Sequence, residues 1–291
     1  MIATIKNEAL SVGADTLGAE LQWIKSANGI DYLWDGNPEY WNGRAPILFP
    51  FVGSLRNGRA ASALGDIVLP IHGFARTSEW ELEHSETQTI VFRLCSDEST
   101  KKGYPYDFEI RVIYTLVKNS VTTKIKIKNT GKHNMPFCVG GHPGFNVPLI
   151  DGESFTDYII EFEKAEIADC PFVDLEKGII LTERRRVLEH QKSFNLAHNL
   201  FYNDALIFDN LLSRRVSLLS KKSGHGVMMD FHSMDYFAVW SPIKHSPFVC
   251  LEPWTGMATL QSEDNIFEHK LGMRLLAPGE EDSVSFTVTV F

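Results

Sequence analysis

The strongest constraint on this chain is the strict alternation of apolar and polar residues in several stretches. VTTKIKIKN (121–129) puts Val121, Thr123, Ile125 and Ile127 on one side and mostly lysines on the other. SVSFTVTVF (283–291) alternates Val284, Phe286, Val288 and Val290 with Ser and Thr. A period of two fits a strand with one buried face and cannot place its apolar residues on one side of a helix. TIVFRLCS (89–96), FEIRVIYTLV (108–117), DYIIEFEK (157–164) and RRVSLLSK (214–221) also read as strands, with less regular faces. Short polar turns separate them, such as KSGHG (222–226) and APGEED (277–282). Strands joined this way predict an all-β fold, a large antiparallel β-sandwich. The only helical candidate lies within 185–200. The last strand runs to the chain end and is expected to pair with interior strands. No Pro/Gly/Ser-rich linker divides the sequence, so residues 1–291 are read as a single domain.

The balance of residues narrows the partners. The composition is 44% hydrophobic and 22% charged, ordinary for a globular protein with a large core. A net charge of −9 argues against nucleic acid, whose phosphates require clustered Lys and Arg. The one basic run, Arg184-Arg185-Arg186, reads as a solvated strand end or loop. The start of the chain lacks a signal-peptide core, and no stretch approaches the ~18 apolar residues of a membrane span. Four scattered cysteines without a C-x-x-C pair indicate neither a disulfide framework nor a zinc knuckle. These features predict a reduced, cytoplasmic protein without membrane contact.

Four stretches break the alternation: FPFVGSLRNGR (49–59), PIHGFARTSEW (70–80), GGHPGFN (140–146) and LEPWTG (251–256). Each sets an ionisable residue among Gly, Pro and aromatics: Arg56, His72 with Arg76, His142, and Glu252. Ionisable groups carried on loops of a rigid sheet are a common way to build a site. A serine nucleophile is disfavoured, because Ser54 in VGSLR lacks the G-x-S-x-G elbow. A catalytic zinc site needs about three ligands, and there is no H-E-x-x-H or H-x-H; His225 and His232, in a hairpin-like stretch, are too little. Acid–base chemistry on a small substrate remains, with His142 and Glu252 of suitable type, held on either side of it. On the residues alone, a packed core histidine and a buried paired carboxylate remain open for these two positions.

These stretches together resemble the aldose 1-epimerase (galactose mutarotase-like) family, and most closely its LacX-like branch. The resemblance runs in order through ELQWIKSANGIDYLWDGNPEYW (20–41), RAPILFPFVGSLRNG, LPIHGFAR, GGHPGFNVP, NDALIFDNL (203–211), AVWSP (238–242) and LEPWTG. It implies a β-sandwich with a sugar cleft on one face, and exchange of the α and β anomers of an aldose by ring opening and closure. It implies that His142 is the general acid and Glu252 the general base. His72 and Asp204 would bind sugar hydroxyls, and Arg56 falls near a substrate-contacting basic residue. Arg76 would contact substrate or brace the site. No metal and no cofactor is required. The partner is a small-molecule sugar, and the assembly a monomer or homodimer. The glycines of GGHPGFN are expected to permit close approach of the sugar, and His142 and Glu252 to face each other across the cleft. Trp240 and Trp254 could stack on the sugar or simply pack. A hexose-6-phosphate 1-epimerase and a non-catalytic carbohydrate-binding protein are the alternatives. FPFVG, where the phosphosugar enzymes tend to carry tryptophans, weighs against the first.

Overall fold

The computed structural model describes residues 1–291. It contains strands and six short 3-10 turns, with no α-helix. Nine antiparallel strands form the larger sheet. From one edge its order is Ile179–Asn195, Tyr158–Asp174, Arg215–Ser220, Gly226–Asp230, Glu281–Val290, Ser120–Asn129, Phe108–Val117, Thr89–Cys95 and Glu81–Glu86. The C-terminal strand is therefore central, bonded to Ser120–Asn129 on one side and Gly226–Asp230 on the other. Its apolar residues point into the core. Its hydroxyls pair across the outer face, Ser120 with Thr289 at 2.8 Å and Thr122 with Thr287 at 2.9 Å. This is the division the alternation requires.

A second sheet lies against the first. Its path runs Leu206–Phe208, Tyr236–Trp240, Phe248–Trp254, Gly140–Gly141, Ile47–Leu48, with Gly144–Asn146 also paired to Phe248–Trp254. All seven residues of Phe248–Trp254 are buried, so this strand is covered on both faces and shows no alternation. One core of 65 buried residues contains side chains of both sheets, among them Val284, Phe286 and Val288 from the larger and Val239, Val249 and Leu251 from the smaller.

The helix expected within 185–200 does not form. Residues Ile179–Asn195 make a 17-residue edge strand paired along Tyr158–Asp174, followed by a 3-10 turn, His198–Phe201. The stretch carries too few apolar residues to bury a helix face, whereas hairpin pairing satisfies its backbone. Its charges suit an exposed edge. The Arg184–Arg186 run lies on this strand. Arg184 bonds Asp209, Arg185 bonds the Leu200 carbonyl, and Arg186 bonds Asp169. His225 sits in a turn against the Phe291 carbonyl and His232 against Asp230, so the two histidines do not form a joint site. All four cysteines are free. No helix is long and apolar enough to cross a membrane.

Candidate active site

The site grows from the pleat of the strand Phe248–Trp254. Successive side chains of a strand point to opposite faces. Val249 and Leu251 enter the core between the sheets, whereas Trp254 joins a separate cluster on the other face and Phe248 and Cys250 a third. Glu252 shares the second face by parity. Its registered neighbours are Ala238 opposite Glu252 and Trp240 opposite Cys250. On the other side Gly140 pairs with Trp254, which brings His142 to the same face. A cavity of about 440 Å³ opens there. It is lined by His142, Glu252, His72, Asp204, Arg76, Trp240 and Trp254, so five distant stretches of sequence meet at one place.

His142 and Glu252 touch. Nε2 of His142 lies 3.2 Å from Oε2 of Glu252, and the residues are 7% and 2% exposed. They do not face each other across the cleft, as expected from the sequence; they form adjacent parts of one wall. The imidazole is held by aromatic rings. Trp41 stacks on it at 4.9 Å and 28°, and Trp240 and His72 meet it edge-on at 5.6 Å and 5.5 Å. Its backbone N–H donates to the Pro46 carbonyl, and its Nδ1 is buried without a partner. Burial, with the nearby His72 and Arg76, pushes His142 well below the usual histidine range. Burial and the neighbouring Asp204 carboxylate push Glu252 well above the usual carboxylate range. Both directions favour the uncharged partners, a carboxylic acid beside a neutral imidazole.

His72 is fixed by two hydrogen bonds to Gly53. Its Nδ1 accepts the Gly53 N–H at 3.0 Å, and its own N–H donates to the Gly53 carbonyl at 2.8 Å. Nε2 therefore carries the ring proton and is a donor. Burial, reinforced by Arg76, lowers its pKa to about 3. His72 itself has φ 67°, and Gly73 after it has φ 74°. A Cβ on Gly73 would lie 2.2 Å from the Phe49 carbonyl oxygen, so the glycine of HGF is required by backbone contact. Asp204 also has positive φ, 73°. Burial raises its carboxyl pKa, opposed by the Ala205 amide and the Trp240 side chain.

Two expectations need correction. Arg56 does not line the cavity. One guanidinium nitrogen, Nη2, donates to the carbonyls of Leu260, Gln261 and Glu263 at 2.8, 3.0 and 3.0 Å. The side chain is long enough to reach a neighbouring loop, and three converging carbonyls hold it there. Arg76, by contrast, lines the cavity and makes no hydrogen bond or ion pair within the protein. Nor do the two glycines before His142 open a path for sugar. A Cβ on Gly140 would lie 2.6 Å from the Trp254 ring, and one on Gly141 would lie 2.6 Å from the Phe286 ring. They are small so that two aromatic side chains can pack against the strand. Trp240 and Trp254 both line the cavity, and the Trp254 indole nitrogen is buried without a partner.

The structure adds residues to which the sequence assigned no part in the site. Trp41 is the stacking partner of the acid candidate; its phrase was visible, but a lone tryptophan carries no signal of that role. Ser54 also lines the cavity, as do Val173, Leu175 and Gly178 from the tip of the long hairpin. Leu175 and Ile71 are 63% and 53% exposed, which makes an apolar mouth.

Comparison with known proteins gives the family and the fold. The family model for aldose 1-epimerase matches residues 1–283. The chromosomal LacX protein of Lactococcus lactis subsp. lactis is 40% identical over 100% of this chain and 99% of its own length. A galactose mutarotase related enzyme from Lactobacillus acidophilus has a structure with a TM-score of 0.93 at 34% identity, covering 100% of this chain and 97% of that one. A galactose mutarotase-like protein from Lactobacillus casei has a TM-score of 0.92 at 26% identity, with complete coverage of both chains. The chain belongs to the aldose 1-epimerase family, an isomerase family with this antiparallel β-sandwich fold.

Proposed function

We propose that this protein exchanges the α and β anomers of an aldose, with Glu252 and His142 as its acid–base pair. The contact between His142 Nε2 and Glu252 Oε2 in the wall of a sugar-sized cavity carries the reading. Ring opening must remove the proton from the O1 hydroxyl and supply one to the ring oxygen O5. Both oxygens are bonded to the same carbon. The groups that serve them must both reach this one carbon, and His142 and Glu252, side by side in the cavity wall, are placed close enough together to do so.

The proton balance also fits a touching pair. With imidazolium beside carboxylate, Glu252 accepts the O1 proton, His142 donates to O5, and the C1–O5 bond breaks to the open aldehyde. The pair is left as imidazole beside carboxylic acid, which holds the same number of protons. Rotation about C1–C2 presents the other carbonyl face. Glu252 then returns its proton to the carbonyl oxygen, His142 takes the O5 hydroxyl proton, and the ring closes. The uncharged form favoured by burial is the one that receives an open-chain sugar, so either form begins the cycle at one of its ends. Assistance of this kind contributes about 10² to 10⁴ in rate.

His72 donates from Nε2 to a sugar hydroxyl, Asp204 accepts from one or two, and Arg76 supplies unpaired donors. NMR exchange or polarimetry with glucose, galactose and their 6-phosphates tests the reading. Acceleration with a free aldose, lost in His142→Asn and Glu252→Gln, is expected. Sugar binding without acceleration would refute the enzyme assignment. Exchange of the 6-phosphates alone, abolished by Arg76→Gln, would transfer the assignment to a phosphosugar.

A further inference from the structure

The acid–base pair has a third neighbour that the reaction does not use. Cys250 precedes Glu252 by two positions on the same strand, so both side chains leave the same face. The His142 nitrogen, the Cys250 sulfur and a Glu252 oxygen all lie within 4.8 Å of one another, and all three residues are buried. Cys250 is a free thiol and is not part of the cavity lining.

From this cluster we propose that the site binds a borderline-soft divalent cation of the Zn²⁺ type, and that the bound ion shuts off anomer exchange. One nitrogen, one sulfur and one oxygen ligand suit Zn²⁺ or Co²⁺ and not Mg²⁺ or Ca²⁺, which select all-oxygen sets. Tetrahedral coordination at about 2.0–2.3 Å brings ligand atoms to roughly 3.3–3.8 Å apart. The histidine–glutamate contact of 3.2 Å is already at that spacing, and the sulfur has to move by at most about 1.5 Å.

The charge balance favours the ion in so dry a place. Zn²⁺ with one thiolate, one carboxylate and a neutral imidazole has no net charge. The ion displaces two protons into solvent, the Cys250 thiol proton and one of the two held by the His142–Glu252 pair. The fourth position faces the cavity, through which the ion enters and where a water or sugar hydroxyl completes the shell. Because the ion takes Nε2 and the carboxylate, it removes both the acid and the base. Cys250 thus turns an acid–base pair into a three-ligand site and makes the enzyme sensitive to metal.

The proposal rests on the catalytic reading for its rate arm only, and a spectral arm is independent of it. Anomer exchange is followed while Zn²⁺ is titrated and then removed with EDTA. Co²⁺ is added to the resting protein, and the thiolate-to-cobalt charge-transfer band is recorded in the near ultraviolet. The wild type is expected to lose activity with Zn²⁺, recover with EDTA, ignore Mg²⁺ and show the band. Cys250→Ser, compared with its own metal-free rate, should need at least about tenfold more Zn²⁺ and show no band, since loss of even an outer-shell partner costs about 10–100-fold in metal affinity. Glu252→Gln should weaken the band without touching the thiol. Equal Zn²⁺ sensitivity in wild type and Cys250→Ser, or cobalt bound without a thiolate band, would overturn the proposal. A protein that shows the band yet exchanges no sugar would keep the metal site and refute the enzyme reading alone.

Discussion

Gly141→Ala separates two accounts of the GGHPGFN segment. If the glycine exists to admit sugar, adding a methyl group harms binding and leaves folding intact. The structure assigns the opposite. The added Cβ would lie 2.6 Å from both Cε1 and Cζ of Phe286, far inside van der Waals contact. Phe286 is 4% exposed on the central strand of the larger sheet, so the ring has little room to withdraw. Overpacking of a filled core costs about 1–3 kcal/mol. Gly141 is not at positive φ, so alanine regains about 0.4–1 kcal/mol by restricting the unfolded chain. The net expected loss is about 1–2 kcal/mol, or a few degrees in Tm. A cycle with Phe286→Leu locates the cause. Removing the outer ring atoms should make Gly141→Ala nearly neutral, giving a coupling energy of about 1–2 kcal/mol between the two sites. Urea unfolding followed by tryptophan fluorescence measures it, with anomer exchange alongside. Wild-type stability with lost sugar affinity in Gly141→Ala, or strictly additive mutations, would refute the packing account.

Substitutions at four further positions probe the surrounding frame. Gly73→Ala and Gly58→Ala share φ values of 74° and 71°, but only the first meets a backbone oxygen. Gly58→Ala should cost about 1–2 kcal/mol in unfolding free energy and Gly73→Ala considerably more, and equal losses would refute the contact with Phe49. Arg56→Gln should lower stability by about 1–3 kcal/mol and raise KM for every sugar alike, because it releases the loop carbonyls at 260–263. A deoxysugar indifferent to the substitution would show that Arg56 touches that hydroxyl. Trp41→Ala removes the ring stacked on His142 and should lower kcat about three- to tenfold, with Trp41→Phe near wild type, both read by NMR exchange.

Legibility in the sequence followed burial. Ser120–Asn129 and Glu281–Val290 bury one face each, so their alternation was plain. Phe248–Trp254 buries every residue, and the most important strand of the site carried no periodic signal at all. Ile179–Asn195 failed for the opposite reason. Its exposed edge position leaves most residues polar, and charge without period resembles a short helix as readily as a strand. His142, Glu252, His72, Asp204 and Arg76 were reachable because unusual phrases in a fixed order fix their identity. The same phrases say nothing of where a flexible guanidinium points. Arg56 and Arg76 look alike in sequence, and three carbonyls within reach of one of them decide the difference.

Parity along the pleat explains why His142 and Glu252 can be held so close. In Phe248–Trp254 the even positions lie on the face that carries the site, where Glu252 and Trp254 line the cavity, and the odd positions Val249 and Leu251 face the core. In the neighbouring segment Gly140 and His142 share the site face, while Gly141 meets Phe286 in the core. A slip of one residue in either segment would exchange the two faces, driving Glu252 into an apolar core and Leu251 into the cavity. Burial of an unpaired carboxylate costs several kcal/mol, so the register of the site is enforced by the core beneath it. The cavity-lining groups His72 and Asp204 need no such enforcement. His72 and Asp204 sit at turns with positive φ, where a single residue reverses direction and aims one side chain inward. On the proposed mechanism, sheet residues fix the distance that proton transfer cannot tolerate losing, and turn residues supply the contacts that can differ from one sugar to the next.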